Sequence, residues 1–164
     1  MKATRFSERG LERNTRVDAK ALSDRAAIFQ VRVPVGSFTQ NATTITSGGP
    51  LGVPAKLISA YASFGTKPAG GTLVLKAVAY DASGNAAVDL TADYDPETAT
   101  NREAAALSLD TTNVALAADD TIETHAIASD DTVSAAGVGG YIVLNFRPLA
   151  ESASSAEFTD VGAG

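Results

Sequence analysis

Apolar and polar side chains alternate along most of the chain, in short segments between residues 27 and 149. The clearest segments are 72–81 (TLVLKAVAYD), 121–129 (TIETHAIAS) and 140–149 (GYIVLNFRPL). A period of two places successive side chains on opposite faces of a β-strand, and Gly, Asn, Asp and Pro between the segments mark turns. About eight such strands, spaced about ten residues apart, predict an all-β fold, an antiparallel β-sandwich of jelly-roll or immunoglobulin-like type.

The alternation is absent at both ends of the chain, which predicts three parts. Residues 1–26 are predicted to form an extended basic N-terminal arm, residues 27–149 the β-sandwich domain, and residues 150–164 a flexible C-terminal tail. The sizeable apolar residues of the arm are five or six positions apart, which fits neither a helix nor a strand. Because such a segment cannot bury itself, we expect it to lie on a partner.

Charge also separates the arm from the rest of the chain. Residues 1–25 hold seven basic and four acidic side chains, a net charge of +3, whereas residues 26–164 hold six basic and fifteen acidic ones, a net charge of −9. An acidic body repels nucleic acid, so no DNA or RNA partner is expected. The arm is predicted to bind a carboxylate-rich partner, because the planar guanidinium group makes paired hydrogen bonds to carboxylates. The residues predicted for this contact are Arg5, Arg9, Arg13, Arg16, Lys20 and Arg25.

The chain has 164 residues and no cysteine, which rules out disulfides and thiolate metal sites. No segment approaches the roughly 20 apolar residues that span a bilayer. No apolar stretch follows the charged N-terminal residues, as it would in a secretory signal. We therefore expect no membrane partner and a protein that is made and kept in the cytoplasm.

His125 is the only histidine, and it lies in a predicted strand on the same face as Ile127. A single imidazole in a chain without cysteine cannot form an ordinary structural zinc site. It would act as a general base only beside a nucleophile that the fold brings to it. We expect His125 to be a strand residue at a surface or an interface.

Three groups of carboxylates lie in or beside predicted turns and connections. A calcium loop needs several oxygens that converge from one segment, and DASGN (81–85) matches only the beginning of such a loop. Asp and Asn side chains in turns commonly accept hydrogen bonds from nearby backbone N–H groups, which explains these groups without a metal. We predict no metal and no cofactor. The three groups are Asp93, Asp95 and Glu97; Asp119 and Asp120; and Asp130 and Asp131.

Sequence motifs for catalysis are missing. No dinucleotide-binding, phosphate-binding or nucleophile-elbow pattern occurs. Aromatic residues make up 6% of the chain, too few for the aromatic-lined groove that a glycoside hydrolase normally carries. Asn41-Ala42-Thr43 fits the glycosylation sequon, which has meaning only in a secreted protein. We predict that the protein is not an enzyme.

Three stretches of the sandwich resemble small head proteins of tailed bacteriophages: TLVLKAVAYDASGNAAVDLTADY, AAALSLDTTNVALAADDTIETHAIASDD and GGYIVLNFRPL. In that family, a sandwich rich in Ala, Thr and Val carries runs of similar composition. The resemblance covers about residues 55–149, and Asp120 stands where the family often has glycine.

The resemblance implies a capsid decoration, or cement, protein. Such proteins bind the outside of the expanded head at seams between major capsid subunits, where they resist the pressure of packaged DNA. They commonly form trimers or dimers, with arms that reach along neighbouring subunits. The implied partners are the major capsid protein and further copies of this chain, with a trimer favoured over a dimer. The implied location is the capsid exterior of a virion that is assembled in the host cytoplasm.

Three other functions are kept as alternatives. A tail or fibre module of the virion would differ from a cement protein in its copy number per particle. A secreted adhesin or carbohydrate-binding β-sandwich would need a leader peptide and a sugar site, and the low aromatic content counts against it. A small enzyme would need polar groups that converge on a pocket.

Overall fold

Two antiparallel β-sheets pack face to face in the computed structural model, which describes residues 28–84, 86–112 and 115–149. The predicted arm and tail lie outside these residues. The strands in the described ranges are β1 (Phe29–Pro34), β2 (Ala42–Pro50), β3 (Ala55–Ser63), β4 (Leu73–Tyr80), β5 (Ala87–Asp89), β6 (Ala104–Leu107), β7 (Ala115–Leu116), β8 (Thr121–Ala128) and β9 (Tyr141–Pro148).

The order of the strands is that of a jelly roll. The five-stranded sheet runs β1-β9-β3-β6, with β7 also paired to β3, and the four-stranded sheet runs β2-β8-β4-β5. Each of these pairs is antiparallel. The chain crosses from one sheet to the other at most connections, and β4 and β5 form a hairpin within one sheet. The predicted all-β sandwich is confirmed, and the strand order matches the jelly roll rather than the immunoglobulin-like arrangement.

The core lies between the two sheets, at inward positions that the alternation predicts. In β9, Ile142, Leu144 and Phe146 are fully buried. In β8, every second side chain is buried in the same way. The ring of Phe146 stacks on the ring of Phe29, the first residue of β1, with their centroids 5.6 Å apart. The two strands that form the centres of the sheets thus supply the middle of the core.

Ile58 is an exception to the predicted pattern of β3. The alternation placed Ile58 on one face with Ala60, Ala62 and Phe64, and those three are buried. Ile58 itself is 37% exposed. The pairing of β3 with β9 shifts between Leu57 and Ser59, so a β-bulge inserts Ile58 as an extra residue and turns it away from the core.

The alternation of residues 85–94 predicts one strand with Thr91 facing out and Ala92 facing in, and this prediction is mostly wrong. Only Ala87–Asp89 forms a regular ladder with β4, and beyond it the pairing is reduced to isolated bridges, Tyr94 with Leu75 of β4 and Thr91 with Leu109. Thr91, predicted to face out, is fully buried, and its Oγ1 accepts a hydrogen bond from the backbone N–H of Ala77 (3.0 Å). Ala92, predicted to face in, is exposed. The buried hydroxyl is satisfied by the backbone, which a pattern based on hydropathy cannot anticipate.

The second strand begins and ends later than predicted. The Thr-rich segment 38–46 was expected to be a strand that Ser47 to Pro50 closes, but β2 is Ala42–Pro50, with a register shift between Ser47 and Gly49. Phe38 lies in the preceding loop, is 2% exposed, and packs near Phe64 with centroids 6.5 Å apart. Its ring therefore closes one end of the sandwich instead of belonging to a ladder.

Helical structure in the described residues is limited to one 3-10 turn, Pro96–Thr98, in the connection where a single helical turn was expected. The described part of the chain has no helix that is long and apolar enough to cross a membrane.

Candidate interaction surface

The strands of the five-stranded sheet contain no Asp or Glu, and their charged side chains are Arg32, Lys56 and Arg147. All three are exposed, and each has at least one buried neighbour in its strand, so they point away from the core. The register of β3 and β9 places Lys56 opposite Arg147. We name this outer surface the basic face. The outward residues of β1, β3 and β9 on this face include Gln30, Arg32, Lys56, Ile58, Ser59, Tyr61, Tyr141, Val143, Asn145 and Arg147.

The middle of the basic face is apolar and aromatic. Tyr61 is 38% exposed and lies opposite Val143, which is half-buried. The guanidinium carbon of Arg32 lies 3.5 Å from the centroid of the Tyr141 ring, a cation–π contact that holds the charge above the face. Tyr and Arg are enriched in protein–protein interfaces, so this composition is typical of a binding surface.

Asn145 leaves a hydrogen-bond acceptor unused on the basic face. Its Nδ2 donates to the hydroxyl of Ser59 (2.8 Å). Its Oδ1 is buried and has no hydrogen-bond partner among the described residues. A buried acceptor without a partner costs about 1–3 kcal/mol.

Acidic residues concentrate in the connections between strands. The described connections carry ten acidic and two basic side chains, a net charge of −8. The strands of the four-stranded sheet carry Lys76, Asp89 and Glu123, a net charge of −1. The basic face, at +3, therefore lies on a body whose remaining described residues total −9.

Several loop carboxylates fix the loops in which they lie. Asp95 Oδ1 accepts from the N–H of Glu97 (2.9 Å) and caps the 3-10 turn, and Asp120 Oδ2 accepts from the N–H of Ala117 (2.9 Å). In the segment that matches the start of a calcium loop, Asp81 Oδ1 accepts from the hydroxyl of Ser83 (2.8 Å). The predicted turn role is confirmed for these carboxylates. Within residues 28–84, 86–112 and 115–149, no three His, Asp or Glu side chains form a group that could hold a metal ion.

Asp130 joins two connections at one end of the sandwich. Its Oδ1 accepts from the hydroxyl (2.8 Å) and the N–H (3.1 Å) of Thr132, and its Oδ2 accepts from the N–H of Thr72 (2.9 Å). These hydrogen bonds, that of the Thr132 hydroxyl first, hold the pKa of the Asp130 carboxyl below its ordinary value of 3.8. The ionised carboxylate thereby ties the loop after β8 to the start of β4.

Replacing Asp130 with Ala is expected to lower the stability of the protein at neutral pH more than at acid pH. The folded-state pKa of Asp130 is depressed, so its contribution is fully present above the unfolded value of 3.8 and is lost as the pH falls below that value through the folded pKa. Urea midpoints of the wild type and of Asp130→Ala, measured from about pH 7 down to about pH 2.5, should converge on the acid side. A difference that stays constant over this range would contradict the role of the charge.

The same end of the sandwich is cross-linked by further hydrogen bonds, and we name its connections 64–72, 95–103 and 129–140 the braced end. Lys67 donates from Nζ to the backbone carbonyl of Glu97 (2.6 Å) and from its N–H to Oδ1 of Asn101 (2.7 Å). A carboxylate oxygen of Glu97 accepts from the N–H of Gly70. Backbone bridges join Thr66 to Val138 and Ala69 to Ala135. Three connections distant in sequence are thus bonded into one unit.

His125 lies on the outer face of the four-stranded sheet, as expected for a strand residue. Its Nε2 is 3.3 Å from Oε2 of Glu123, and its ring centroid is 6.3 Å from that of Tyr80. Lys76, in the neighbouring strand, pairs with Asp89 at 3.0 Å. These contacts describe a polar sheet face in which each charged group has a partner.

An open cleft of about 450 Å³ lies beside this face, at the turn between β4 and β5. Ile45, Tyr80, Thr121 and Glu123 line it together with the turn residues 81–84. His125 does not line the cleft, so the structure does not bring the histidine and a hydroxyl together in it.

Sequence reasoning predicted a basic contact in the arm, whose residues Arg5, Arg9, Arg13, Arg16, Lys20 and Arg25 lie outside the described residues. It missed the basic face. A signal was present, since the segments that became β1, β3 and β9 each hold one basic residue and no acidic one. The signal could be used only after the topology had placed these three strands side by side.

Comparisons with known proteins found no matching family model, no similar curated protein and no similar solved structure.

Proposed function

We propose that this protein is a structural component of a virion, which decorates the capsid and cements neighbouring major capsid subunits. The proposal starts from the resemblance of residues 55–149 to head proteins of tailed bacteriophages. The jelly roll agrees with it but does not select it, because the same fold serves viral capsids, lectins and cupins. The structural observation that carries the proposal is the braced end.

A cement protein must transmit force between subunits without yielding in its loops. Loops are usually the most mobile part of a domain. At the braced end, side chains that could serve chemistry instead bond backbone groups of other connections, as Glu97 does for Gly70 and Asp130 does for Thr72. This arrangement supports a role as a stiff spacer.

Cementing would work through several weak contacts acting together. In the proposed mechanism, the N-terminal arm binds carboxylates on one capsid subunit while the sandwich contacts the next. Once one contact forms, the second takes place at a high effective concentration, so avidity can exceed either single affinity by roughly 10² to 10⁴.

Replacing Arg5, Arg9, Arg13 and Arg16 with Ala is expected to weaken binding to capsids by about tenfold or more while leaving the sandwich folded, because one of the linked contacts is lost. The measurement is co-sedimentation with expanded, undecorated heads of the virus that encodes the chain. The wild type should saturate at a fixed copy number per head. Circular dichroism and the urea midpoint of the variant serve as controls for folding.

Two outcomes of this experiment would change the proposal in different ways. Unchanged occupancy by the variant would remove the arm from the mechanism while leaving decoration in place. Failure of the wild type to bind would remove decoration itself, and a tail module or an extracellular binding domain would become the better account. A tail or fibre module would also appear in purified virions at a much lower copy number than a capsid-wide decoration.

A further inference from the structure

The distribution of charge on the sandwich distinguishes the basic face from the other described surfaces. The basic face carries Arg32, Lys56 and Arg147 and no acidic side chain, whereas the remaining described residues total −9. Like charges at a contact are costly and opposite charges guide association. The basic face therefore selects a partner surface rich in carboxylates.

The apolar middle of the basic face adds a second requirement. Tyr61 is exposed at the centre of the sheet, opposite Val143, and Arg32 is held above the ring of Tyr141. An aromatic centre surrounded by charges is the usual anatomy of a protein interface, with an apolar core and a polar rim. The partner should therefore present apolar side chains between its carboxylates.

The basic face is also continuous with the start of the described chain. β1 is the edge strand of the five-stranded sheet and begins at Phe29, directly after the predicted arm. Residues 1–25 carry a net charge of +3, the same sign as the face. Two basic regions that follow one another in the sequence favour a single acidic partner over two different ones.

We infer that the basic face is the surface with which the sandwich contacts the major capsid protein, and that it binds a carboxylate-rich protein surface with an apolar centre. This inference rests on the proposed function. It names the side of the sandwich that faces the capsid, and it leaves the four-stranded sheet facing outward.

The test uses pairs of equivalent substitutions on the two outer faces of the full chain. Tyr61→Ser and Arg147→Gln alter the basic face, whereas Tyr80→Ser and Lys76→Gln make the same change in aromatic area or charge on the four-stranded sheet. Each variant is titrated onto expanded heads and sedimented. We expect the apparent Kd to rise about tenfold or more for Tyr61→Ser and about threefold or more for Arg147→Gln, with less than about twofold change for the two controls.

The possible results separate the inference from the proposed function. Binding by the wild type with equal effects on both faces, or with no effect on either, would overturn the inference while the decoration function stands. If the basic-face variants bind heads normally but change the oligomeric state in analytical ultracentrifugation, the face contacts a second copy and the inference is wrong. If the wild type does not bind heads, both proposals fall.

Discussion

Phe146→Ala is expected to lower the free energy of unfolding by about 3–5 kcal/mol, the largest effect of any single truncation proposed for this protein. Phe146 is fully buried and stacks on Phe29 in the neighbouring strand. It belongs to β9, which lies between β1 and β3, so a cavity there would be enclosed on both sides and could not collapse easily. Such a loss is a large share of the roughly 5–15 kcal/mol that stabilises a domain.

Urea unfolding followed by circular dichroism measures this effect, with Ile45→Ala as the control. Ile45 is 52% exposed on β2, so its truncation should cost less than about 0.5 kcal/mol. A small effect at Phe146, comparable to that at Ile45, would mean that the two sheets do not pack as described.

The second large effect is expected for Gly70→Ala, at the braced end. Gly70 has a φ of 79°, a left-handed conformation that costs a residue with a Cβ about 1–2 kcal/mol. The added Cβ would also come within 2.5 Å of the backbone oxygen of Thr132 and 2.8 Å of the backbone nitrogen of Ser134. Because backbone atoms cannot move aside easily, we expect a total loss of more than about 2 kcal/mol.

Gly84→Ala separates the cost of the positive φ from the cost of the close contacts that an added Cβ makes. Gly84 also has a positive φ, 69°, but an added Cβ would meet no atom within 4 Å. It should therefore cost only the conformational part, about 1–2 kcal/mol. Thermal or urea unfolding of the two variants provides the comparison. Equal losses at both positions would show that the connections of the braced end are not held together as tightly as the hydrogen bonds indicate.

The alternation of side chains was sufficient to predict the fold class. In β8 and β9, buried and partly exposed side chains alternate with the period of two on which that prediction rests, because these central strands are covered by a partner on each side. The predicted role of Asp residues in turns was also confirmed, at Asp95, Asp120 and Asp130. Both predictions depend on interactions between residues close in sequence.

Features that depend on residues far apart in sequence were not predicted. Ile58 is exposed because of a register shift against β9, and Thr91 is buried where the regular pairing with β4 has ended at Asp89. The basic face has the same origin, since it appears only when strands separated by many residues become neighbours. A sequence reports the charge of each strand, but the topology decides which charges share a surface.

The position of the last two strands has a consequence for how the protein is made. β8 and β9 are synthesised last, yet β8 lies between β2 and β4, and β9 lies between β1 and β3. Neither sheet has its central strand until the ribosome has released the end of the sandwich. Until then the earlier strands lack the central strands with which they pair. Pairing between strands far apart in sequence is slow. A product truncated before residue 141 would lack the strand that joins both halves of the five-stranded sheet, so we expect such a product not to form the sandwich.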